Sequence, residues 1–468
     1  MKRSFLLHKD NRVFSWGFVL LSALLLATVT FPVYSQSSTR RSGNYGGNYD
    51  DYSAVDYYRW GYRTAIGGFS IDAENVIRTT PAEESAALAE QVKSLLAEVP
   101  ADLDTPTPLR KISLRRLSGQ INACLQNDRP IPDALLFLGG LMRIDYIAAV
   151  PEEHDIYIAG PAEGWTVSET GNVVGKESGK PIFRLEDLLT ILRAWNAGVP
   201  EVITCSIDPT QEGIAAAAAL GVAASDAERQ AAIGLMDVSF TGIPANSRVA
   251  TVLAAADYRL KTISLGYESV PIKNFTSYFE TIKATTTANY GQRFWISPEY
   301  KKLYHGTDAL TWKLSDIGVQ TLTEREYLAA DGTREVSGKR DAQATKWAAK
   351  MSRRYDDIAV AIPVFAEAKN CMELAMAVAV IYAKHLPEKT GLSLSVLTDS
   401  KVFPDSPIPA PTKVPGFSLS RNAGNRGLVS VTGGISINPW EVIQNGTALD
   451  ATLDDVTLAF SGENWYSD

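Results

Sequence analysis

Two short clusters in this chain carry the residue types that could do chemistry. Glu152-Glu153-His154-Asp155 gathers three carboxylates around an imidazole, the densest such group present. That is the donor set a divalent cation would ask for. Asp257-Tyr258-Arg259, with Lys261 just beyond, offers a phenol and a guanidinium, a pair suited to hydrogen-bonding an anionic group. Trp165, after Gly160-Pro161-Ala162-Glu163-Gly164, could stack on a sugar ring. Each also has an ordinary structural account. Solvated charges belong in hairpin turns, cations at a helix C-terminus complement its dipole, and a Trp after Gly-Pro turns commonly anchors a loop on the core. Glu153, His154, Asp257, Tyr258, Arg259 and Trp165 are the candidate binding residues. No catalytic residue can be assigned.

Several other chemistries find no foothold. Gly171-Asn172-Val173-Val174-Gly175-Lys176 imitates a phosphate-binding loop. It has three residues between its glycines where four are needed, and Glu177 stands where the magnesium-binding hydroxyl should be. It reads as a turn. His154, His305 and His385 are scattered, with no second ligand at a helical offset and no Cys-x-x-Cys anywhere, so neither a metal nor a cofactor is expected. No Gly-x-Ser-x-Gly elbow occurs, which removes the usual serine-hydrolase signature. Cys124, Cys205 and Cys371 fall on a helix face, in a strand and in an apolar helix, and read as buried structural thiols.

Elements must position whatever site exists. Thr80-Pro81-Ala82-Glu83 predicts a capped helix start, with Thr80 as cap and Pro81 at the first helical position. Order is expected from about Thr80. A second helix follows Ser113 with a stripe of Leu114, Leu117, Ile121, Cys124 and Leu125. Residues 143–150 and 155–160 alternate as a β-hairpin around Pro151-Glu152-Glu153-His154. From Glu201 to Glu268 the pattern alternates as β-α-β-α-β, with Asp208 opening one helix, Ser247 the next, and Thr262 to Leu265 as the closing strand. Such a run implies right-handed crossovers and a partly parallel sheet. Strands at 293–296 and 310–314, helices at about 342–355 and 364–385, a proline-rich arm at 403–415 and a short β segment at 428–437 complete the reading. The expected fold is α/β or α+β with a mixed sheet.

The beginning of the chain speaks about location. Lys2, Arg3, Lys9 and Arg12 precede an apolar run from Phe18 to Val29, and Val33-Tyr34-Ser35 offers a cleavage site after Ser35. That is a secretory leader. The competing reading is an uncleaved anchor, which would be the protein's link to a membrane. The domain plan is a signal peptide at 1–35, a low-complexity linker at 36–75, an α+β region at 76–200, an α/β region at 201–402, and a proline-rich connector with a β tail at 403–468. The net charge of −8 becomes −11 once the leader, net +3, is removed. That acidity argues against nucleic acid, which needs a basic footprint. Hydrophobic residues at 45% and charged residues at 21% describe a globular chain.

Leu114-Arg115-Arg116-Leu117, Asp155 through Trp165, Thr204 through Thr210, Ala255-Ala256-Asp257-Tyr258-Arg259-Leu260-Lys261 and Asn370 through Ala375 occur in this order. Together, across roughly 108–438, they resemble a planctomycete-type family of exported bacterial proteins with a domain of unknown function. The resemblance implies export and one extended unit, and no activity. The expectation is an exported binding or envelope-associated structural component, periplasmic, at the cell surface or extracellular, with envelope proteins or polysaccharide as partners. The alternative is a secreted hydrolase without a recognisable catalytic motif.

Overall fold

The structure, a computed structural model, describes residues 66–468 apart from 199–201, 221–222, 283–289, 300–302, 315–316, 329–333, 337, 339, 403–407, 418–419, 423–427, 445–446, 457 and 459. The leader, the linker up to residue 65 and the first prolines of the arm lie outside the described residues.

The first described element is a hairpin, β1 (Phe69–Ile71) on β2 (Ile77–Thr79), ahead of the expected Thr80. Helix α1 (Ala82–Leu95) follows, but its cap position is Pro81 and no side chain caps it. Thr80 is one residue too early to do so. The next strand is β3 (Thr107–Ser113). Ser113 then caps α2 (Leu114–Gln126) as expected, accepting from the Arg116 N–H. Leu114, Leu117 and Ile121 are buried, while Cys124 and Leu125 are half-buried. The hairpin is present as β4 (Tyr146–Val150) and β5 (Asp155–Ala162). A smaller hairpin, β6 (Trp165–Val167) on β7 (Val173–Gly175), contains the glycine-rich segment: Gly171 and Asn172 lie in its connection, but Val173 to Gly175 are strand and not the expected turn. Helix α3 (Leu185–Asn196) closes this stretch.

From 203 onwards come β8 (Ile203–Pro209), α4 (Gln211–Ala219), α5 (Asp226–Ile233), β9 (Met236–Thr241) and α6 (Arg248–Leu265). Here three expectations change. Thr210 rather than Asp208 caps α4, through the Gly213 N–H. Strands β8 and β9 are antiparallel neighbours, so no crossover joins them. Thr262 to Leu265 is the last turn of α6, not a strand. Ile263 and Leu265 stay buried on the helix, and Gly266 ends it in the left-handed region at φ 75°, a conformation that glycine adopts without a Cβ clash. Asp257, Tyr258 and Arg259 consequently sit inside the helix, not at its end.

Beyond α6 lie β10 (Tyr290–Glu299), β11 (Leu303–His305), β12 (Thr311–Lys313), β13 (Gly318–Leu328) and β14 (Arg334–Val336). Three helices follow: α7 (Ala342–Arg353), α8 (Tyr355–Ala361) and α9 (Pro363–Ala383). A short helix, α10 (Leu386–Thr390), leads to the tail strands β15 (Lys413–Val414), β16 (Ser420–Asn422), β17 (Leu428–Ile437), β18 (Thr447–Leu449) and β19 (Tyr466–Ser467).

These strands make two mixed sheets. One runs β18-β11-β12-β4-β5-β3-β19. The other runs β14-β13-β10-β17-β8-β9-β15, with β16 also on β17. The parallel pairs are β10 with β17 and β11 with β18. Helix α6 lies on β8 and β17, and α9 packs on α6 and α3. Helix α9 is apolar nearly all round, with Cys371, Met372, Leu374, Met376, Val378 and Val380 at 1% exposure or less. A helix without a polar face belongs inside the protein. Among the described residues, no helix is long and apolar enough to cross a membrane. All three cysteines are free, Cys205 and Cys371 buried and Cys124 half-buried.

Candidate functional site

Helices α3, α6 and α9 are clamped together at Arg248, the first residue of α6. Its guanidinium is 2% exposed, donates to Asp187 of α3 at 2.5 Å, and pairs with Glu367 of α9. Glu186 lies 3.8 Å from the same guanidinium and a second buried arginine, Arg184, stands beside the group, and charges so removed from water are stable only in combination. This clamp fixes where α9 begins relative to α6.

At that beginning lies a cavity of about 550 Å³. Ala361, Ile362, Pro363 and Val364 form one wall, and Ala82, Ser85, Ala86 and Ala89 of α1 form another. Phe69 and Arg259 close it from the side. Both helices present their N-terminal ends here. Neither has a side-chain cap, because Pro81 precedes α1 and Ile362 precedes α9. The first-turn N–H groups of a helix point out of its N-terminus and carry its positive pole. Two such poles meet this apolar-walled space, α9 with one N–H fewer because Pro363 has none, while α8 ends on the same wall at Ala361.

Side chains sharpen this polarity. Arg259 reaches the cavity with its guanidinium 5.8 Å from the centre of the Phe69 ring, and its Nε is buried without a hydrogen-bond partner. One terminal nitrogen meets Glu268 at 2.6 Å. Burial holds the Glu268 carboxyl above its ordinary range, with Arg259 and the Thr262 hydroxyl pulling the other way. The Thr80 hydroxyl on the cavity wall is also buried and unpartnered. Its backbone N–H bonds the Gly68 carbonyl at 2.9 Å. The neighbouring Gly67 fits only because it has no Cβ, which would collide with Asn172 and the Thr170 carbonyl. Glu90 and Glu169 stand exposed at the rim. An anionic head group with an apolar body matches these walls: uncapped N–H groups, an arginine and a spare hydroxyl around alanine, isoleucine, proline and phenylalanine.

The six residues singled out from the sequence do not converge. Arg259 lines the cavity; the other five do not. Tyr258 packs edge-on against Phe417 at 5.5 Å, and burial raises its phenol pKa. Asp257 faces the second sheet and is fully buried, paired with Lys261 one turn on. The Lys261 ammonium also donates to the Gly433 carbonyl at 2.8 Å. Burial, opposed by Lys261, pushes the Asp257 carboxyl up to about 6.

Glu153 and His154 stay in the hairpin turn. Glu153 accepts from the Tyr157 hydroxyl at 2.6 Å, and His154, at φ 52°, has Nδ1 2.9 Å from the Thr390 carbonyl. Trp165 is 2% exposed and meets Phe137 edge-to-face at 5.6 Å, as a loop anchor does. Among the described residues, no three His, Cys, Asp or Glu side chains come together as a metal site.

The sequence reading missed Thr80, Phe69, Ser85 and the start of α9. Its own treatment of Thr80 as a cap hid the opposite fact, an uncapped helix with a spare hydroxyl beside it. Ile362-Pro363 was the available signal, a helix start with no Ser, Thr, Asp or Asn before it.

Neither the curated proteins nor the solved structures contain a match to this chain. Residues 205–278, from β8 to just beyond α6, match a family model described as a protein of unknown function, DUF1598, and that segment contributes Arg259 to the cavity, with Glu268 as its ion-pair partner.

Proposed function

We propose that this chain is exported and that its folded unit binds a small amphipathic acid, anionic head inward, in the cavity at the start of α9. The observation that carries this reading is the meeting of two uncapped helix N-termini with Arg259 on an apolar-walled space of about 550 Å³. Most sites for small ligands are apolar clefts with a few fixed polar groups, and here Arg259 and the Thr80 hydroxyl are such groups. Export is supported by the basic start, apolar run and Val33-Tyr34-Ser35 site of the leader. The acidic, cysteine-poor composition agrees with it. In this reading the ligand belongs to the cell envelope, and envelope proteins or polysaccharide are the partners of the exported chain. The resemblance to exported planctomycete-type proteins points the same way.

Titration calorimetry on the full chain with octanoate and octanol tests the ligand. Octanoate should bind and octanol should bind about tenfold more weakly, as expected when a charge-assisted contact is lost. Arg259→Gln should remove most of that difference. Equal affinity for the two probes, or an unchanged preference in the variant, sinks the reading. Cell fractionation with N-terminal sequencing tests export: recovery outside the cytoplasm beginning at Gln36 supports it, and cytoplasmic protein beginning at Met1 refutes it.

A further inference from the structure

The opposite end of α9 opens on a second cavity, of about 620 Å³, lined by carboxylates and hydroxyls. It is walled by Tyr382 in the last turn of α9, by Asn196 at the end of α3, and by the loop that follows α10. Helices α9 and α3 end at it with the negative poles of their dipoles, while α10 and a short helix, Ser395–Thr398, begin at it. Glu388 and Asp399 add carboxylates, and Ser393, Ser395 and Thr398 add hydroxyls. Among the described residues, no lysine or arginine lines it.

Tyr382 supplies an independent sign of a ligand. Its ring stacks on Trp195 at 6.4 Å and 14°, while its hydroxyl oxygen is buried and has no hydrogen-bond partner. A buried polar atom without a partner carries a cost that a bound donor would relieve. Burial first, and Glu388 second, push the phenol up to about 12, so its oxygen stays protonated and neutral near physiological pH and can accept from a bound N–H. A ring, hydroxyl side chains and carboxylates in one open cleft are the groups that recognise a polyhydroxylated ligand. The carboxylates and helix C-termini further favour a positive charge on it.

We propose that this cavity binds a hydroxylated ligand bearing a protonated amine, the chemistry of an aminosugar. The amine lies toward Asp399, Glu388 and the helix ends, and donates to the Tyr382 oxygen. The ligand's hydroxyls meet Ser393, Ser395 and Thr398.

Calorimetry on the full chain with glucosamine and glucose tests this. Glucosamine should give saturable heat, and glucose should bind at least about tenfold more weakly. Tyr382→Phe keeps the ring and its stack on Trp195, and Asp399→Asn keeps the side-chain shape. Each should weaken glucosamine at least about threefold, with the thermal midpoint and octanoate binding unchanged. The absence of saturable heat, equal constants for the two sugars, or undiminished binding by both variants overturns the proposal. Because octanoate reports on the other cavity, a failure here is distinguishable from a failure there.

Discussion

At its first turn α9 meets an arginine, a second helix N-terminus and apolar walls; at its last it meets carboxylates, hydroxyls and a second helix C-terminus. Its 21 residues place the two ends about 31 Å apart. The same backbone dipole therefore offers opposite partners at opposite ends. Arg259 adds to the sign at the first and Glu388 and Asp399 at the last, against Glu90 and Glu169 at one rim and Lys384 and His385 just past the other end. Where a helix end is meant only to be satisfied, a Ser or Asp cap is the usual device, as Ser113, Ser225 and Ser247 provide for α2, α5 and α6.

The largest expected effect removes the clamp on which the comparison depends. Arg248→Met leaves Asp187 and Glu367 buried without their cation, and breaking a buried ion pair costs about 3–5 kcal/mol. Urea denaturation should show that loss, and binding of octanoate and glucosamine should weaken together. If only one ligand suffers, α9 does not couple the two sites as described.

A second test acts on the middle of α9. Glu373 is 3% exposed, and burial pushes its carboxyl from 4.5 up to about 7, with Lys369 pulling it back. Its charged form is disfavoured in the folded state, so its contribution to stability is complete below about pH 4.5 and is lost as pH rises towards 7. Glu373→Gln abolishes that loss, for a gain at pH 8 on the order of 2–3 kcal/mol. A urea midpoint that differs as much between wild type and variant at pH 4.5 as at pH 8 would remove this account.

Smaller still is the effect of supplying a missing cap. Pro81→Asp gives α1 a carboxylate at its cap position, where backbone angles of φ −54° and ψ 150° are already suitable. The variant should gain about 1 kcal/mol of stability while octanoate binding falls a few-fold, because the new carboxylate competes for the same N–H groups. Glucosamine binding should not move. Stability and affinity rising together would show that the end of α1 does not face the ligand.

Much of this architecture could be read from residue patterns. The hairpin at 146–162, the Ser113 and Ser247 caps, the apolar helix near 364–385 and the strand at 428–437 all announce themselves locally. Thr262 to Leu265 did not, because a short apolar run fits a buried strand and a buried helix turn equally well. The pairing of β8 with β9 was equally hidden, since two helices between strands normally signal a parallel crossover. Arg259 was legible as a binding residue because its charge stands out; the rest of its cavity was not. Thr80, Ser85 and the start of α9 are brought together by packing between segments almost 280 residues apart, and none of them looks unusual where it stands in the chain.

One more consequence follows from strand β17. It sits between β10 and β8, and Gly433 lies so close to the Phe294 carbonyl that a Cβ would overlap it, so no other segment fills its place easily. The second sheet therefore cannot close while the ribosome is still making residues 210–427. At ~5–20 residues per second that interval lasts on the order of 10–40 s. Throughout it β8 has an unfilled side, β10 has one from the time it is made, and the face of α6 that packs on β17 lacks that strand. A chain arranged in this way delays its own completion, and one destined to pass through a membrane pore unfolded would gain from that delay.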